Sequence, residues 1–468
     1  MTGAAVDVVH QVRDRYLNRT PNSLRLHGEA KRWLPGGDTR TANHFGPYPT
    51  FLAHGAGCEV TDVDGNRYLD FCNNMSAVVH GHAHPDLVAA ASAQFSLGTA
   101  LGAPGEVQPR HAELVCARVP SVERVRYCNS GTEAAMLALR AARTVTGRDT
   151  IVKIDGGYHG MQGDLEVNMF AGMRAPASPQ PGVPDGFPHR RVPRGVPRNV
   201  AEDVFVLPYN DLNAAAQLFR AHGSRTAALI VEPMLGVAGG VLGDPDYLHG
   251  LRALTEEHGA LLIFDECATF RVGPLQTRFG ITPDLTALGN VIGGGLPIGA
   301  FGGRADVMAQ FDPTRPEPVY HGSTFGGNNL SLRVGVAALR TYGPAEVISL
   351  NDLGEGLNRR LSEAGAEVGV RLRTSGVGSL TYLHWGDGPI RDALDVRALR
   401  LNAGKLPELL HLELLNRGIY LPRTGPVSLS MPMTEEHTRT LVDTVRDTLT
   451  TLRPYLEEKL PHLLTEPT

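Results

Sequence analysis

Short apolar segments alternate with helix-sized segments along the middle of this chain, and this alternation constrains the fold more than any other feature. Segments with the length and apolar character of buried strands occupy residues 125–128, 151–154, 204–207, 227–231 and 261–264, and another follows at 298–301. Helix-sized segments at 133–143 and 246–258 lie between them. Because buried strands that alternate with helices form a parallel sheet, the pattern predicts an α/β domain with a mostly parallel sheet.

The two ends of the chain are predicted to form a second, smaller α+β domain. We expect residues 1–79 and 331–468 to belong to it and residues 80–330 to form the large domain, a division that a length of 468 residues accommodates. The small domain is predicted to end in a helix near residues 434–452, because Thr434 can cap it and Leu441 and Val445 recur at helical spacing.

Composition and charge exclude several classes of function. The net charge of −5 gives no basic surface for nucleic acid, and no run of 18 apolar residues is available to span a membrane. The five cysteines are scattered without a C-x-x-C pair, which argues against a disulfide framework and a zinc site and favours a reducing, cytoplasmic setting. His80, His82 and His84 are more typical of a packed loop than of metal ligands, so we expect no metal site.

Ser130, Gly131 and Thr132 stand between a predicted strand and an alanine-rich predicted helix. The start of a helix presents unpaired N–H groups and a partial positive charge, hydroxyls add donors, and glycine lets an anion approach the backbone. The turn therefore suits a phosphate group. A capped helix that binds no ligand is the alternative, and the turn alone does not decide between them.

Two further segments end predicted strands with groups that suit a flat heterocyclic ligand. The apolar run at 261–264 ends in Asp265 and Glu266, and ligands of open α/β sheets bind outside the carboxyl ends of the strands. Asp265 can pair with a protonated ring nitrogen or, alternatively, with an arginine; Glu266 is expected to support the fold. Tyr158 and His159 follow the strand at 151–154, where either ring can stack on a heterocycle or simply pack.

Several motifs in consistent order resemble those of the class III aminotransferases, fold-type-I enzymes that use pyridoxal 5′-phosphate (PLP). They are Asn-Ser-Gly-Thr at 129–132, Tyr-His-Gly at 158–160, Val-Glu-Pro at 231–233, Asp-Glu at 265–266, Leu-Gly-Asn-Val-Ile-Gly-Gly-Gly at 288–295, and the segment 321–328. Within that group the chain most resembles glutamate-1-semialdehyde 2,1-aminomutases and related amino-acid and β-amino-acid aminotransferases. The resemblance runs from about residue 34 to residue 436 and implies a seven-stranded-type sheet in the large domain.

The resemblance also implies roles for individual residues. Ser130, Gly131 and Thr132 would hold the cofactor phosphate, Asp265 would pair with the pyridinium nitrogen, and Tyr158 would stack on the ring. Thr324 would reach the phosphate of the neighbouring subunit, which implies a homodimer with shared sites. Arg40 matches the arginine that binds the substrate carboxylate in the β-amino-acid branch, with a plain surface arginine as the alternative. The implied substrate is an amino acid or an amino ketone.

Asn290 departs from the family pattern, because the family has lysine at this position. That lysine forms the Schiff base with PLP and shuttles the proton, whereas an asparagine amide is neither basic nor nucleophilic. The chain has only four lysines, and Lys153, in the strand before Tyr158, is expected to be structural. PLP or its amine form (PMP) is expected to bind noncovalently or as an external aldimine.

Three hypotheses follow from Asn290. In the first, the asparagine is an introduced substitution in an ordinary aminotransferase or aminomutase. In the second, the chain is a natural lysine-independent enzyme in which another base moves the proton, with His159 and His321 as candidates. The third hypothesis is a non-catalytic PLP-binding or ligand-binding pseudoenzyme. The first two make the chain a PLP-dependent aminotransferase-like or aminomutase-like enzyme.

Overall fold

The computed structural model describes residues 3–465 and divides into two compact units. The first unit contains the chain up to His84, Ile348–Pro389 and the chain from Ala398 onward; the second contains Pro85–Val347 and Ile390–Arg397. The α-helices of the described residues are α1 Ala4–Arg19, α2 Pro21–Ala30, α3 Pro85–Phe95, α4 Val107–Arg118, α5 Gly131–Thr146, α6 Gly163–Glu166, α7 Leu212–His222, α8 Pro245–His258, α9 Leu275–Phe279, α10 Ala305–Met308, α11 Asn329–Thr341, α12 Pro344–Glu367, α13 Ala393–Asn402, α14 Leu406–Asn416, α15 Glu435–Thr451 and α16 Arg453–Lys459. The strands are β1 Leu52–Ala56, β2 Glu59–Asp62, β3 Arg67–Asp70, β4 Arg124–Cys128, β5 Thr150–Ile154, β6 Ala177–Ser178, β7 Arg190–Arg191, β8 Val204–Leu207, β9 Thr226–Val231, β10 Met234–Leu235, β11 Val241–Leu242, β12 Leu261–Asp265, β13 Leu285–Gly289, β14 Gly299–Gly303, β15 Leu372–Val377, β16 Leu380–Trp385, β17 Ile419–Tyr420 and β18 Val427–Ser428.

The second unit is built on a seven-stranded sheet with the strand order β4-β14-β13-β12-β9-β5-β8. Its pairings are parallel except that β14 runs antiparallel to both of its neighbours, β13 and β4. The predicted mostly parallel α/β sheet is therefore confirmed. An apolar run carries no strand direction, so the reversed strand β14 could not be predicted from its sequence.

Alternate residues of the central strands pack on opposite faces of this sheet. In β12, Ile263 belongs to the buried cluster that contains the alanine-rich face of α5, whereas Leu262 and Phe264 belong to the cluster that contains α7 and α8. Successive side chains of a strand point to opposite faces, so a sheet covered on both sides requires an unbroken apolar run. Asp265 ends that run, and its carboxylate therefore emerges at the carboxyl edge of the sheet.

The first unit contains a four-stranded sheet, β1-β2-β3-β17, and a three-stranded sheet, β15-β16-β18. The predicted C-terminal helix is α15, and Thr434 forms its capping box with His437. The domain borders at 79/80 and 330/331 stay predictions. The second unit of the structure extends to Val347 because α11 packs against α3 and α4.

Asn73, Asn74, Met75 and Ser76 form an unusual turn in the first unit. All four have positive φ, between 47° and 71°, and Ser76 N donates to Cys72 O at 3.0 Å. Residues other than glycine rarely adopt this conformation, and consecutive ones cost energy that the surrounding structure must offset. The turn is thus a strained element held by its neighbours.

Among the residues described, no helix combines the length and apolar character needed to cross a membrane.

Candidate functional site

The predicted phosphate-binding turn joins β4 to α5. Ser130 is the N-cap of α5, and its Oγ accepts a hydrogen bond from Glu133 N at 3.2 Å. Glu133 reaches back and accepts from Asn129 N at 2.8 Å, which fixes the entry of the chain into the helix. The first N–H groups of a helix have no carbonyl of the helix to donate to, so Gly131 and Thr132 present donors to an anion.

The segment after β5 packs directly on this turn. Gly160 has φ +91°, and a Cβ at that position would lie 2.1 Å from Thr132 Oγ1. Met161 N donates to the same oxygen at 3.3 Å. Only glycine permits this approach, and it brings Tyr158 and His159 to the phosphate-binding turn. The Tyr158 ring is partly buried and stacks on Phe170 with 6.3 Å between the ring centroids.

His159 and Asp265 form a buried pair. His159 Nδ1 lies 2.9 Å from Asp265 Oδ2, and Cys267 N donates to Asp265 Oδ1 at 3.0 Å. Burial lowers the pKa of His159, so we assign a neutral ring with the proton on Nδ1. His159 Nε2 is then an unprotonated, buried nitrogen, and it has no hydrogen-bond partner among the described residues. Each carboxylate oxygen of Asp265 keeps a lone pair for one further donor.

Two buried ionisable residues, Lys153 and Glu232, hold the segment that carries Tyr158 and His159. Lys153 Nζ donates to Gly157 O at 3.0 Å and to Val167 O at 2.6 Å, and Glu232 Oε2 accepts from Tyr158 N at 2.9 Å. Burial lowers the pKa of Lys153 to about 7 and raises the pKa of Glu232 to about 8. The role of Glu232 was not predictable from the sequence, because its partners are the backbone N–H groups of Tyr158 and Gly236, which leave no signature in a sequence.

Asn290 begins a 3-10 turn, Asn290–Gly293, directly after β13. Its backbone is left-handed, with φ +53°, and its exposed side chain donates from Nδ2 to Cys267 O at 3.2 Å. Cys267 also faces the phosphate-binding turn, because a Cβ on Gly131 would lie 3.0 Å from its Sγ. Cys267 therefore connects three of the predicted site residues: Asn290, Asp265 and Gly131.

The segment 321–328 contacts the phosphate-binding turn of its own chain. Asn129 Nδ2 donates to Ser323 Oγ at 2.9 Å, and the next residue, Thr324, is exposed. The ring of His321 lies edge-on to Phe301 and Phe311, and burial lowers its pKa. The structure therefore brings the segment to the turn, and it places His321 against two apolar rings and the Arg126 guanidinium, whose Nη1 lies 3.5 Å from His321 Nδ1.

Arg40 belongs to the first unit. Its exposed side chain donates from Nη1 to Asn74 Oδ1 at 3.0 Å. The strained turn of residues 73–76 thus presents the partner of Arg40.

Between Gly3 and Thr465, no three or more His, Cys, Asp or Glu side chains lie close enough together to bind a metal ion.

The second unit has the donors and acceptors that PLP requires. The start of α5 offers N–H groups and the Ser130 and Thr132 hydroxyls to a phosphate. Asp265 offers lone pairs to a protonated ring nitrogen, and His159 Nδ1 holds that carboxylate in place. The residues present therefore fit this cofactor.

Comparisons with known proteins identify the family of the chain. Residues 41–430 match the family model described as "Aminotransferase class-III". The β-phenylalanine transaminase of Variovorax paradoxus is 39% identical over 439 residues, which are 93% of this chain and 94% of that protein. A glutamate-1-semialdehyde 2,1-aminomutase of Roseiflexus castenholzii is 42% identical over 410 residues, 86% of this chain and 91% of that protein.

Solved structures show the same similarity. An omega-transaminase from Sphaerobacter thermophilus has a TM-score of 0.87 at 39% identity and covers 93% of this chain and 99% of its own. A transaminase with PLP bound has a TM-score of 0.82 at 33% identity, and the match covers 92% of this chain and 98% of that chain. A lysine-to-alanine variant of a glutamate-1-semialdehyde aminomutase from Pseudomonas aeruginosa PAO1, in complex with PMP, has a TM-score of 0.85 at 25% identity, with 96% and 98% covered.

These similarities confirm the predicted fold type and the predicted cofactor, PLP or PMP. They do not favour the non-catalytic alternative, because the similar proteins carry the names of enzymes. With its fold, its candidate cofactor site and a family match that spans most of its length, this chain belongs to the class III aminotransferases.

Proposed function

We propose that this chain binds PLP or PMP noncovalently and acts on the amino group of an amino acid or amino ketone, with Asn290 at the position of the family lysine. The observation that carries this proposal is the contrast between an assembled binding site and an amide at residue 290. Asp265, His159 and the start of α5 are joined by hydrogen bonds and close contacts, whereas Asn290 offers no amine. A relative with one lysine replaced by alanine is described in complex with PMP, which supports noncovalent binding.

In this proposal, different residues of the second unit bind different parts of the cofactor. When bound, the cofactor exchanges an amino group with the substrate and stabilises negative charge on the substrate carbon. Ser130, Gly131 and Thr132 bind its phosphate, and Tyr158 covers its ring. Asp265 accepts a hydrogen bond from the ring nitrogen and keeps that nitrogen protonated, because a buried carboxylate stabilises a nearby positive charge.

His159 has a positioning role in this proposal. Its Nδ1–H orients the carboxylate of Asp265, the group that we assign to the cofactor ring nitrogen. His321 and His159 are the candidates for the base that replaces the lysine, and neither is hydrogen-bonded to Asn290 among the described residues.

Assembly and substrate binding complete the proposal. Thr324 is exposed and therefore accessible to a partner subunit, which supports a homodimer in which it reaches the partner's phosphate. Arg40 binds the substrate carboxylate, and Asn74 orients the Arg40 side chain. β-Phenylalanine and glutamate-1-semialdehyde, which appear in the names of the relatives, are the first substrates to test.

The experiment compares this chain with its Asn290→Lys variant. Absorbance spectra recorded during titration with PLP and with PMP measure binding, and amino transfer is then followed over a panel of α- and β-amino acids and glutamate-1-semialdehyde. We expect both proteins to bind PLP, and borohydride reduction to attach it covalently to the variant alone. If neither protein binds PLP in large excess, the proposal is wrong.

The turnover measured in the same experiment separates the hypotheses about Asn290. A base positioned for proton transfer raises the reaction rate by about 10² to 10⁴-fold. If the Asn290→Lys variant transfers amino groups faster than the native chain by such a factor, the native site has lost its base. A substrate that only the asparagine form converts identifies a lysine-independent enzyme. The Asn290→Gln variant is the control, since it keeps the amide and removes the original geometry.

A further inference from the structure

His111 connects two parts of the candidate site. It lies in α4 and is buried, and its two ring nitrogens have different partners. Nδ1 is 2.8 Å from the Tyr127 hydroxyl, and Nε2 is 2.8 Å from Ile292 O. Tyr127 lies three residues before Ser130, and Ile292 lies two residues after Asn290. One side chain thus contacts the strand that leads into the phosphate-binding turn and the turn that begins with Asn290.

The partners determine how the ring is protonated. A backbone carbonyl only accepts hydrogen bonds, so Nε2 carries the proton and donates it to Ile292 O. A neutral ring then leaves Nδ1 as an acceptor for the Tyr127 hydroxyl. Burial lowers the pKa of His111, which agrees with a neutral ring.

The carbonyl of Ile292 is not used by the local turn. Within the turn, Val291 O accepts from Gly294 N and Gly293 O accepts from Leu296 N. The Ile292 carbonyl points the other way, into the contact between α4 and α11. A Cβ on Gly335 of α11 would lie 2.3 Å from Ile292 O and 2.5 Å from His111 Nε2, so the contact leaves no space for another partner.

We propose that His111 is a positioning residue for the side chain at position 290. Through Ile292 O it sets the orientation of the turn Asn290–Gly293, and through Tyr127 it keeps that turn in register with the phosphate-binding turn. The inference rests on the proposed function, because it gives residue 290 a defined place beside the cofactor.

The test measures how well a lysine placed at position 290 captures PLP. The parent is the Asn290→Lys variant of the full chain. The lysine amine forms a C=N bond with the PLP aldehyde carbon, the aldehyde oxygen leaves as water, and borohydride added at timed intervals reduces the C=N bond. Mass spectrometry then gives the captured fraction against time.

Three substitutions added to the parent separate the two bonds of the ring. His111→Gln keeps a donor that reaches Ile292 O, His111→Asn keeps an acceptor for Tyr127 but does not reach Ile292, and Tyr127→Phe removes the hydroxyl alone. A displacement of about 1 Å at a reacting group costs up to about 100-fold in rate, so we expect His111→Asn to slow capture by about 10- to 100-fold. His111→Gln is expected to restore capture to near the parent rate. Tyr127→Phe is expected to slow it by about two- to tenfold, the effect of one neutral hydrogen bond.

Noncovalent binding of PLP to the same His111 and Tyr127 variants, with asparagine retained at 290, supplies the control. A general structural defect weakens noncovalent binding and capture together, whereas a positioning effect slows capture and leaves noncovalent affinity close to that of the native chain. If His111→Asn does not fold, the comparison of Tyr127→Phe with the parent decides. Capture at the parent rate in every folded variant overturns the inference, and failure of the parent itself to bind PLP overturns the proposed function as well.

Discussion

The neighbouring parallel strands β12 and β13 end at the same edge of the sheet with very different side chains. β12 ends in Asp265, which is buried and accepts hydrogen bonds from His159 and Cys267. β13 leads into Asn290, which is exposed and donates one hydrogen bond to Cys267 O. Both residues lie against Cys267, yet one belongs to an organised set of partners and the other makes a single weak contact.

This difference separates two functions of one site. The residues that we propose bind the cofactor are held by several independent contacts, so each of them restrains the others. Residue 290, which we propose takes the place of the family lysine, is restrained mainly through its backbone turn. A chain of this family can therefore change residue 290 without rebuilding the binding site, and four substitutions test this interpretation.

The largest expected effect comes from Asp265→Asn. An amide has one acceptor oxygen, so its NH₂ group must face either His159 Nδ1–H or Cys267 N–H, and the negative charge beside the cofactor is lost. Hydrogen bonds to charged groups contribute about 1.5 to 3 kcal/mol, so we expect the dissociation constant of PLP to rise by about 10- to 100-fold. Fluorescence titration measures it.

The adjacent carboxylate provides the control for that experiment. Glu266 is buried and accepts hydrogen bonds from Leu275 N and Gln276 N, both at 2.9 Å. Glu266→Gln is expected to lower the melting temperature and to leave PLP affinity nearly unchanged. Equal losses of PLP affinity in the two variants would contradict the assignment of Asp265 to the cofactor.

Asn290→Ala tests the other strand end through stability. Asparagine tolerates the left-handed backbone at φ +53° better than alanine does, and glycine tolerates it best. We expect Asn290→Ala to lower the free energy of unfolding by about 1 kcal/mol, whereas Asn290→Gly leaves it nearly unchanged. Urea denaturation of the apoprotein measures both. A loss of the same size in the glycine variant would show that the side-chain bond to Cys267, and not the backbone, sets the cost.

Ser130→Ala is expected to have a similar effect on stability and a specific effect on cofactor binding. Loss of an N-cap costs about 1 kcal/mol, and the phosphate loses a hydroxyl donor. Asp211, the N-cap of α7, is the matched control because its Oδ1 accepts from Ala214 N at 2.9 Å. Asp211→Ala should lower stability by a similar amount without weakening PLP binding. Unchanged PLP affinity in Ser130→Ala would remove that hydroxyl from the proposed site.

The last of the four substitutions concerns pH. Burial lowers the pKa of Lys153 to about 7 from its ordinary value of 10.5. Between these values the unfolded chain binds a proton that the native chain does not, so this lysine makes the free energy of unfolding rise as the pH increases. Lys153→Met should therefore flatten the change in unfolding free energy between about pH 8 and pH 10. Denaturation at the two pH values, with native chain and variant side by side, checks the difference; identical slopes would show that Lys153 stays protonated.

The two strand ends also show what sequence reasoning can predict. Strand β12 and its terminal Asp265 were predictable because burial on both faces requires an apolar run, and the first polar residue after it marks the edge of the sheet. The cap of α5 was predictable from Ser130 and the alanine-rich helix. The assignments of Ser130, Asp265 and Asn290 to the cofactor stay predictions until the experiments above are done.

Other parts of the site gave no sequence signal. Lys153 and His111 act on backbone carbonyls, those of Gly157 and Ile292, and every residue has a carbonyl. Such contacts depend on tertiary packing and not on a motif. The left-handed turn at Asn73–Ser76 was equally unpredictable, because no glycine marks it.

The left-handed backbone at Asn290 also bears on how this position evolves. Codons for asparagine and lysine differ at a single base, so the two residues exchange by one mutation. Lysine is less tolerant than asparagine of positive φ, and a change to lysine is therefore expected to reduce folding stability. Populations that do not need the amine are expected to retain asparagine, and a lysine at this position is expected to persist only under selection for its chemistry.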